Sequence, residues 1–289
     1  MKSLLRFSFF IVFLSMGLTA CVVLELRPTK RIEALGFEVA KTDTALQLMY
    51  PFRCQLGDGD VLFSGYRLDS ILAGSNDNLE RVFRLTDHVH RRLDGKTTSK
   101  SIDLNAAEVL VWLDSGRAVS KMHYATLLTA LIQASGLPAR TVFLMTNDAP
   151  HVNAGAGHYI TEVWLEERNQ WMMADAQFNL VPMVGEYLLS AVDFQAAIIN
   201  NRQYAFYNVS GKVSDAERVA YLKFIPHKLF YFAVAFDQRV APDVPYTYGD
   251  YTHLILVPLE KEAPELFQRR RLLNTFYPTS SKTTFYQRP

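Results

Sequence analysis

The chain has few cysteines and almost no excess of charge, and each of these shortages excludes a class of protein. Its 289 residues include only two cysteines, Cys21 and Cys54, which excludes a disulfide-rich scaffold. The formal net charge is +1, so the chain has no overall field that would attract nucleic acid or a strongly acidic partner. There is no internal repeat. A hydrophobic fraction of 49% predicts a globular protein with a sizeable core.

The N-terminal segment predicts export and lipid attachment. Lys2 and Arg6 precede an apolar stretch over 7–18 that is short for a membrane span, which is typical of a secretory signal. The four residues that end at Cys21 resemble a bacterial lipobox, in which the cysteine is diacylated and becomes the mature N-terminus. Val22 after it resembles outer-membrane rather than inner-membrane sorting. An ordinary signal peptide with an incidental cysteine is the alternative.

The domain organisation follows from these signals. We expect a lipoprotein signal peptide at 1–20, a tether at 21–40, one domain at 41–265 and a peripheral tail at 266–289. With Cys21 acylated, palmitate is the expected modification and the cell envelope the expected location, at the outer membrane and facing the periplasm. No metal or other cofactor is expected.

The stretch from residue 121 to residue 175 organises the rest of the chain. Residues 121–135 are apolar on nearly all sides, which predicts a buried helix, and Gly136 and Pro138 end it. A strand at 141–145 follows, and then a hairpin with strands at 159–165 and 171–174. Folding the hairpin on itself brings His158 to Asp175, within about one register step.

Three segments of this stretch resemble a known family. They are Gly136-Leu-Pro-Ala-Arg140, His158-Tyr-Ile-Thr-Glu162 and the segment from Trp171 to Asp175. They resemble the transglutaminase-like superfamily, which has the papain-type fold. The resemblance implies an α+β fold with a buried central helix packed on an antiparallel sheet. It also implies acyl chemistry by a Cys, a His and an Asp, here His158 and Asp175.

The nucleophile that the family uses is missing. An ungapped alignment through Ala125 and Gly136 puts Lys121 at the cysteine position. Three interpretations of Lys121 stay open: a neutral amine that attacks a carbonyl, a salt bridge to Asp175 that closes the cleft, or a side chain in solvent. Ser120 is a weak alternative nucleophile, because one step along a helix turns the side chain by about 100 degrees.

Several other residues have competing interpretations. His158 and Asp175 could serve only as a structural hydrogen bond. Arg140 is expected to pair with a core carboxylate or to lie flat along its strand, and Glu162 could support His158. Tyr246, Tyr248 and Tyr251 form either a platform for sugar rings or peptide side chains, or a cluster packed on their own domain.

The sequence therefore predicts an envelope lipoprotein with a degenerate transglutaminase-like domain, which binds rather than catalyses. The expected partners are the membrane through Cys21 and a peptide, a cell-wall or exopolysaccharide glycan, or another envelope protein, with no nucleic acid. Binding would use the former active-site cleft. The alternative is an acyl-transfer or amide-hydrolysing enzyme that uses Ser120 or Lys121 with His158 and Asp175.

Overall fold

The computed structural model describes residues 32–39, 45–50, 58–100, 102–239, 242–272 and 274–289. Cys21, Cys54 and the predicted signal segment lie outside these residues. The helices are α1 (Asp58–Gly65), α2 (Leu68–Leu72), α3 (Asn78–Leu93), α4 (Ala106–Asp114), α5 (His123–Ala134), α6 (Ala191–Ile199), α7 (Asp215–Phe224) and α8 (Lys282–Phe285). The strands are β1 (Thr97–Thr98), β2 (Val119–Ser120), β3 (Ala139–Met145), β4 (Gly157–Leu165), β5 (Gln170–Ala174), β6 (Val181–Val184), β7 (Tyr187–Leu188), β8 (Ala205–Asn208), β9 (Gly211–Lys212), β10 (Tyr231–Ala235), β11 (His253–Leu256), β12 (Leu266–Phe267), β13 (Arg270–Arg271) and β14 (Phe276–Thr279).

A six-stranded sheet forms the centre, in the order β14-β11-β10-β3-β4-β5. Its neighbouring strands run antiparallel, apart from β11 and β14, which are parallel. The pairing of β3 with β4 is regular from Ala139 opposite Val163 to Met145 opposite Gly157. Side chains therefore alternate strictly between the two faces along this whole stretch.

Helix α5 covers one face of the sheet. All of its residues except Thr126 and Ala134 are buried. The Thr161 hydroxyl on β4 donates to the Ala125 carbonyl at 2.9 Å and contacts the Thr129 hydroxyl at 3.1 Å. Helices α1, α3 and α4 pack on the other side of α5. The predicted α+β fold, with a buried central helix on an antiparallel sheet, is confirmed.

The opposite face of the sheet is covered by α6, α7 and a small sheet of strands β7-β6-β8-β9. Large side chains fill this side, among them Phe194, Phe206, Tyr221 and Phe232, all fully buried. Ser214 and Glu217 form a capping box at the start of α7. Helix α6 begins only after the β6–β7 hairpin, with the Ser190 side chain as its N-cap.

Two predicted boundaries are wrong for the residues that the structure describes. The tail at 266–289 is not peripheral, because β14 pairs with β11 and Phe285 is fully buried. The tether was expected to run to residue 40, but residues 32–39 lie on the domain: Glu38 bridges Ser281, and Phe37 packs edge-on to Phe232. Aromatic side chains in both segments explain the difference, because packing them removes apolar area from water.

Candidate functional site

His158 and Asp175 meet at the end of the β4–β5 hairpin. His158 Nε2 lies 2.7 Å from Asp175 Oδ2. Thr161 pairs with Ala174, so the same register continued would set Asp175 opposite Ile160, two residues from His158. The contact is diagonal, one residue further along the strand than the sequence predicted. The other oxygen, Asp175 Oδ1, accepts from the backbone N–H of Gln177 at 3.1 Å and holds the tight loop after β5.

Aromatic rings close this pair off from solvent. The side chain of His158 is 5% exposed and that of Asp175 is 0% exposed. The Phe224 ring meets the imidazole edge-on at 5.0 Å, and Phe178 lies 6.1 Å away. Burial, with the nearby Asp175 charge as a smaller cause, raises the pKa of Tyr221 well above its ordinary value. A substrate reaches the imidazole only if these rings move.

The pair and helix α5 lie on opposite faces of the sheet. Thr161 points to α5, and His158 is an odd number of residues away on the same regular strand. Ile160, on the face of His158, packs with the core below α6 and α7, whereas Val163 packs with the core around α5. The helix that would carry the family's nucleophile therefore lies across the sheet from the histidine.

Lys121 and Ser120 do not join His158 and Asp175. Lys121 is exposed in the turn before α5, and it has no ion pair with any described residue. The salt bridge from Lys121 to Asp175 is therefore not formed. The Ser120 hydroxyl is buried and holds the backbone of Ile102, accepting from its N–H at 2.5 Å and donating to its carbonyl at 3.0 Å. It ties β2 to the loop before α4.

A second buried pair lies on the same face as His158. Arg140 and Glu162 are opposite each other on β3 and β4 and are both 0% exposed. Arg140 donates to Glu162 Oε2 from Nε at 3.0 Å and from Nη2 at 2.7 Å, and from Nη1 to the Phe285 carbonyl at 2.7 Å. Glu162 Oε1 accepts from the Tyr286 hydroxyl and from the Ala191 N–H, each at 2.9 Å.

Aromatic rings surround the guanidinium of the Arg140–Glu162 pair. The guanidinium carbon of Arg140 lies 4.3 Å from the Trp171 ring centre and 4.6 Å from that of Phe285. The predicted pairing of Arg140 with a core carboxylate is found, and Glu162 supports Arg140 rather than His158. No pattern in the sequence indicated that the C-terminal Phe285 and Tyr286 complete this site.

The tyrosine loop packs mainly on its own domain. Tyr248 packs against Phe236 at 5.8 Å and Tyr277 at 5.3 Å, and Tyr251 also meets Tyr277 edge-on at 5.3 Å. The backbone N–H of Tyr246 donates to Asp237 Oδ2 at 2.8 Å. Tyr246 and Tyr248 are half-buried, whereas Tyr251 is 38% exposed.

Two cavities lie near these elements. One, of about 330 Å³, lies between α5 and the sheet, and Met122, Tyr159 and Arg239 are among its lining residues. The other, of about 560 Å³, is lined by Lys228 and Phe224 on the side of the sheet that carries His158. Burial lowers the pKa of Lys228, whose ammonium donates to the Gly155 carbonyl at 2.7 Å. Among the described residues no group of three His, Cys, Asp or Glu side chains could hold a metal ion.

Comparison with known proteins supports the family assignment. Residues 67–176 match the model of the transglutaminase-like superfamily. The chain therefore carries a transglutaminase-like domain, in which α5, β3, β4 and β5 form the matched core. No curated protein matches the chain. Within the described part of the chain, none of the helices has the length and hydropathy that a bilayer span requires.

A solved structure from Cytophaga hutchinsonii, named a "Putative Cysteine Protease", is also similar. The two chains are 19% identical, and their TM-score is 0.33. The match covers 48% of this chain and 46% of that one, so this chain spans less than half of its length. This likeness assigns no activity to the chain.

Proposed function

We propose that the chain is a lipid-anchored protein of the bacterial cell envelope whose transglutaminase-like domain binds a partner and does not catalyse. One observation carries the proposal: Lys121, at the nucleophile position, is exposed on the α5 side, while His158 and Asp175 are buried on the opposite face. A nucleophile needs its base within hydrogen-bond reach. Because the sheet lies between Lys121 and His158, the imidazole does not come within hydrogen-bond distance of the lysine amine.

The partner class is a peptide, a glycan or another envelope protein, without nucleic acid. Binding beside His158 would require Phe224 and Phe178 to move, because both rings cover the imidazole. The α5 side offers open space instead, since Met122, directly after the nucleophile position, lines the cavity of about 330 Å³. We therefore place the contact on the α5 side of the sheet.

The lipid anchor is the second part of the proposal. Cys21 follows a basic and then an apolar segment, and diacylation supplies the two chains that stable anchoring needs. The test is metabolic labelling with palmitate in a bacterial host, followed by fractionation of the membranes. Label should appear in the outer-membrane fraction and be lost in Cys21→Ala, with Cys54→Ala as the matched control that keeps it. An unlabelled wild-type chain would refute the anchor.

Catalysis is tested separately. The purified chain without residues 1–20 is assayed for amide hydrolysis and for acyl transfer to an amine, beside His158→Ala. We expect no turnover from either protein. Fluorophosphonate should not label Ser120, and borohydride with a carbonyl compound should not trap Lys121. Activity that disappears in His158→Ala would overturn the non-catalytic proposal and favour the enzyme alternative.

A further inference from the structure

The cavity between α5 and the sheet is shaped by a size alternation on β10. Large side chains of this strand, such as Phe232 and Val234, point to the opposite face and are fully buried. Ala233 and Ala235 point to α5, and both line the cavity. A methyl group does not fill the gap between a helix and a sheet. A space of about 330 Å³ remains, within the range of about 300–1,000 Å³ that small-molecule sites occupy.

A buried acceptor in the cavity wall has no partner. Gln133 lines the cavity and is 7% exposed. Its Nε2 donates to the Ala139 carbonyl and to the Gln238 carbonyl, each at 2.8 Å, which fixes the orientation of the amide. Among the described residues, Oε1 accepts no hydrogen bond. A buried acceptor left unpaired costs about 1–3 kcal/mol, so a ligand O–H or N–H that reached this atom from the cavity would be stabilised.

The cavity wall carries almost no net charge. Asp237 and Arg239 are its only described side chains that carry full charges, and they neutralise each other through an Nη2–Oδ2 contact of 2.6 Å. Burial alone would raise the pKa of Asp237, but hydrogen bonds from Arg239 and Tyr246 outweigh it and hold that pKa below its ordinary value. His253 is uncharged at neutral pH, because burial lowers its pKa to about 4.

One aromatic ring is available on the cavity floor. Tyr159 stacks on Phe143 with ring centres 4.4 Å apart and an angle of 18° between the planes. Both residues line the cavity, but Phe143 is buried whereas Tyr159 is partly exposed. Thr126 and Asn274 add polar groups to the cavity wall. An apolar ring face beside neutral donors and acceptors is the combination that the C–H and O–H groups of a sugar require.

We propose that this cavity binds a neutral sugar unit of a glycan, with a hydroxyl or acetamido N–H of the sugar donating to Gln133 Oε1 and the sugar ring packed on Tyr159. The inference rests on the proposed binding function and names its ligand class. Among the described residues of the wall, an acidic sugar would find no free cation, since Arg239 is already paired with Asp237.

A peptide fits the same cavity less well. Extended peptides are commonly held by a free strand edge, through backbone hydrogen bonds. The strands that line the floor, β3, β4, β10 and β11, each have a neighbour on both sides in the six-stranded sheet. They present side chains to the cavity and no free backbone edge.

The test is isothermal titration of the folded chain, from residue 22 onward, with neutral tetrasaccharides. The panel is the tetramers of N-acetylglucosamine, glucose in β-1,4 linkage and glucose in α-1,4 linkage. A tetramer of galacturonic acid and a pool of cell-wall-type peptides serve as competing classes. We expect one of the neutral tetramers to bind and both competing classes to fail.

Two variants locate the binding. Ala235→Leu fills the cavity and should weaken binding at least about tenfold, an effect of about 1.4 kcal/mol. Ala220→Leu makes the same change on an exposed position of α7 and should leave the affinity unchanged. Thermal unfolding of both variants shows whether the fold is intact. As an independent probe, Tyr159→Ala removes the ring on which the sugar is proposed to pack and should also weaken binding.

Three results would overturn the inference. Binding of a neutral tetramer that Ala235→Leu leaves intact would place the sugar elsewhere. Binding only of the peptide pool or of galacturonate would refute the ligand class, although the proposed binding function would stand. If no probe bound, the inference that the cavity is a sugar site would be wrong. Hydrolysis of a probe would instead refute the proposed non-catalytic function.

Discussion

The two faces of the six-stranded sheet differ in whether their polar groups are buried or border an open cavity. The face below α6 and α7 holds two buried polar pairs, Arg140–Glu162 and His158–Asp175, and aromatic rings cover both. The α5 face holds an open cavity whose wall carries almost no net charge, with Lys121 exposed at the start of the helix. The family's motif residues thus lie buried under aromatic rings on one face, and an open cavity lies on the other.

The largest effect should come from breaking the Arg140–Glu162 pair. Glu162→Ala leaves the guanidinium buried without its carboxylate, and breaking such a pair typically costs about 3–5 kcal/mol. Urea unfolding of the purified domain measures the loss. The same substitution at Asp114, whose ion pair with Arg92 is at the surface, should cost no more than about 1 kcal/mol.

A double variant separates charge burial from packing. Arg140→Met with Glu162→Leu removes both charges and keeps apolar volume, so it should recover much of the stability that Glu162→Ala loses. If Glu162→Ala proved as mild as Asp114→Ala, the idea that this pair holds β3, β4 and the C-terminal residues together would be wrong.

The His158–Asp175 pair should matter less, because it rests on fewer hydrogen bonds. Asp175→Asn keeps the side-chain shape and the acceptor for Gln177, and weakens the bond to His158, so we expect a loss of about 1–3 kcal/mol in urea unfolding. The rate of modification by diethyl pyrocarbonate measures how well the aromatic rings shield the imidazole of His158 from solvent. His158 should react much more slowly than the exposed His151, and equal rates would show that the aromatic cover is open.

The free energy of unfolding should depend on pH through His253, which lines the cavity on the α5 face. Burial lowers the pKa of His253 in the folded chain to about 4, while an unfolded histidine titrates near about 6.5. The unfolded chain therefore takes up the proton first as pH falls. The contribution of the neutral His253 to the free energy of unfolding is complete above about pH 6.5 and is lost between about pH 6.5 and 4. His253→Gln should flatten the unfolding profile in this window, and the exposed His151→Gln should not.

Much of this contrast could be predicted from the sequence, but not its geometry. Apolar periodicity placed α5, and the His and Asp segments placed the hairpin and its contact. Which helices each side chain faces could not be read from the apolar pattern, because both faces of the sheet are covered and apolar residues occur on each. The role of Phe285 was also out of reach, because its contact with Arg140 joins residues 145 positions apart in the chain.

The smallest effect should come from Lys121, and its substitution tests the contrast most directly. Lys121→Ala should change the free energy of unfolding by no more than about 0.5 kcal/mol, as for other surface positions. Lys121→Cys restores the family's nucleophile at the start of α5. Because His158 lies on the other face of the sheet, the new thiol should be alkylated by iodoacetamide at the same rate in Lys121→Cys and in Lys121→Cys with His158→Ala. Neither protein should hydrolyse an amide. A faster alkylation that needs His158 would show that the helix start and the imidazole meet, and the separation of the two faces would then fail as an account of this domain.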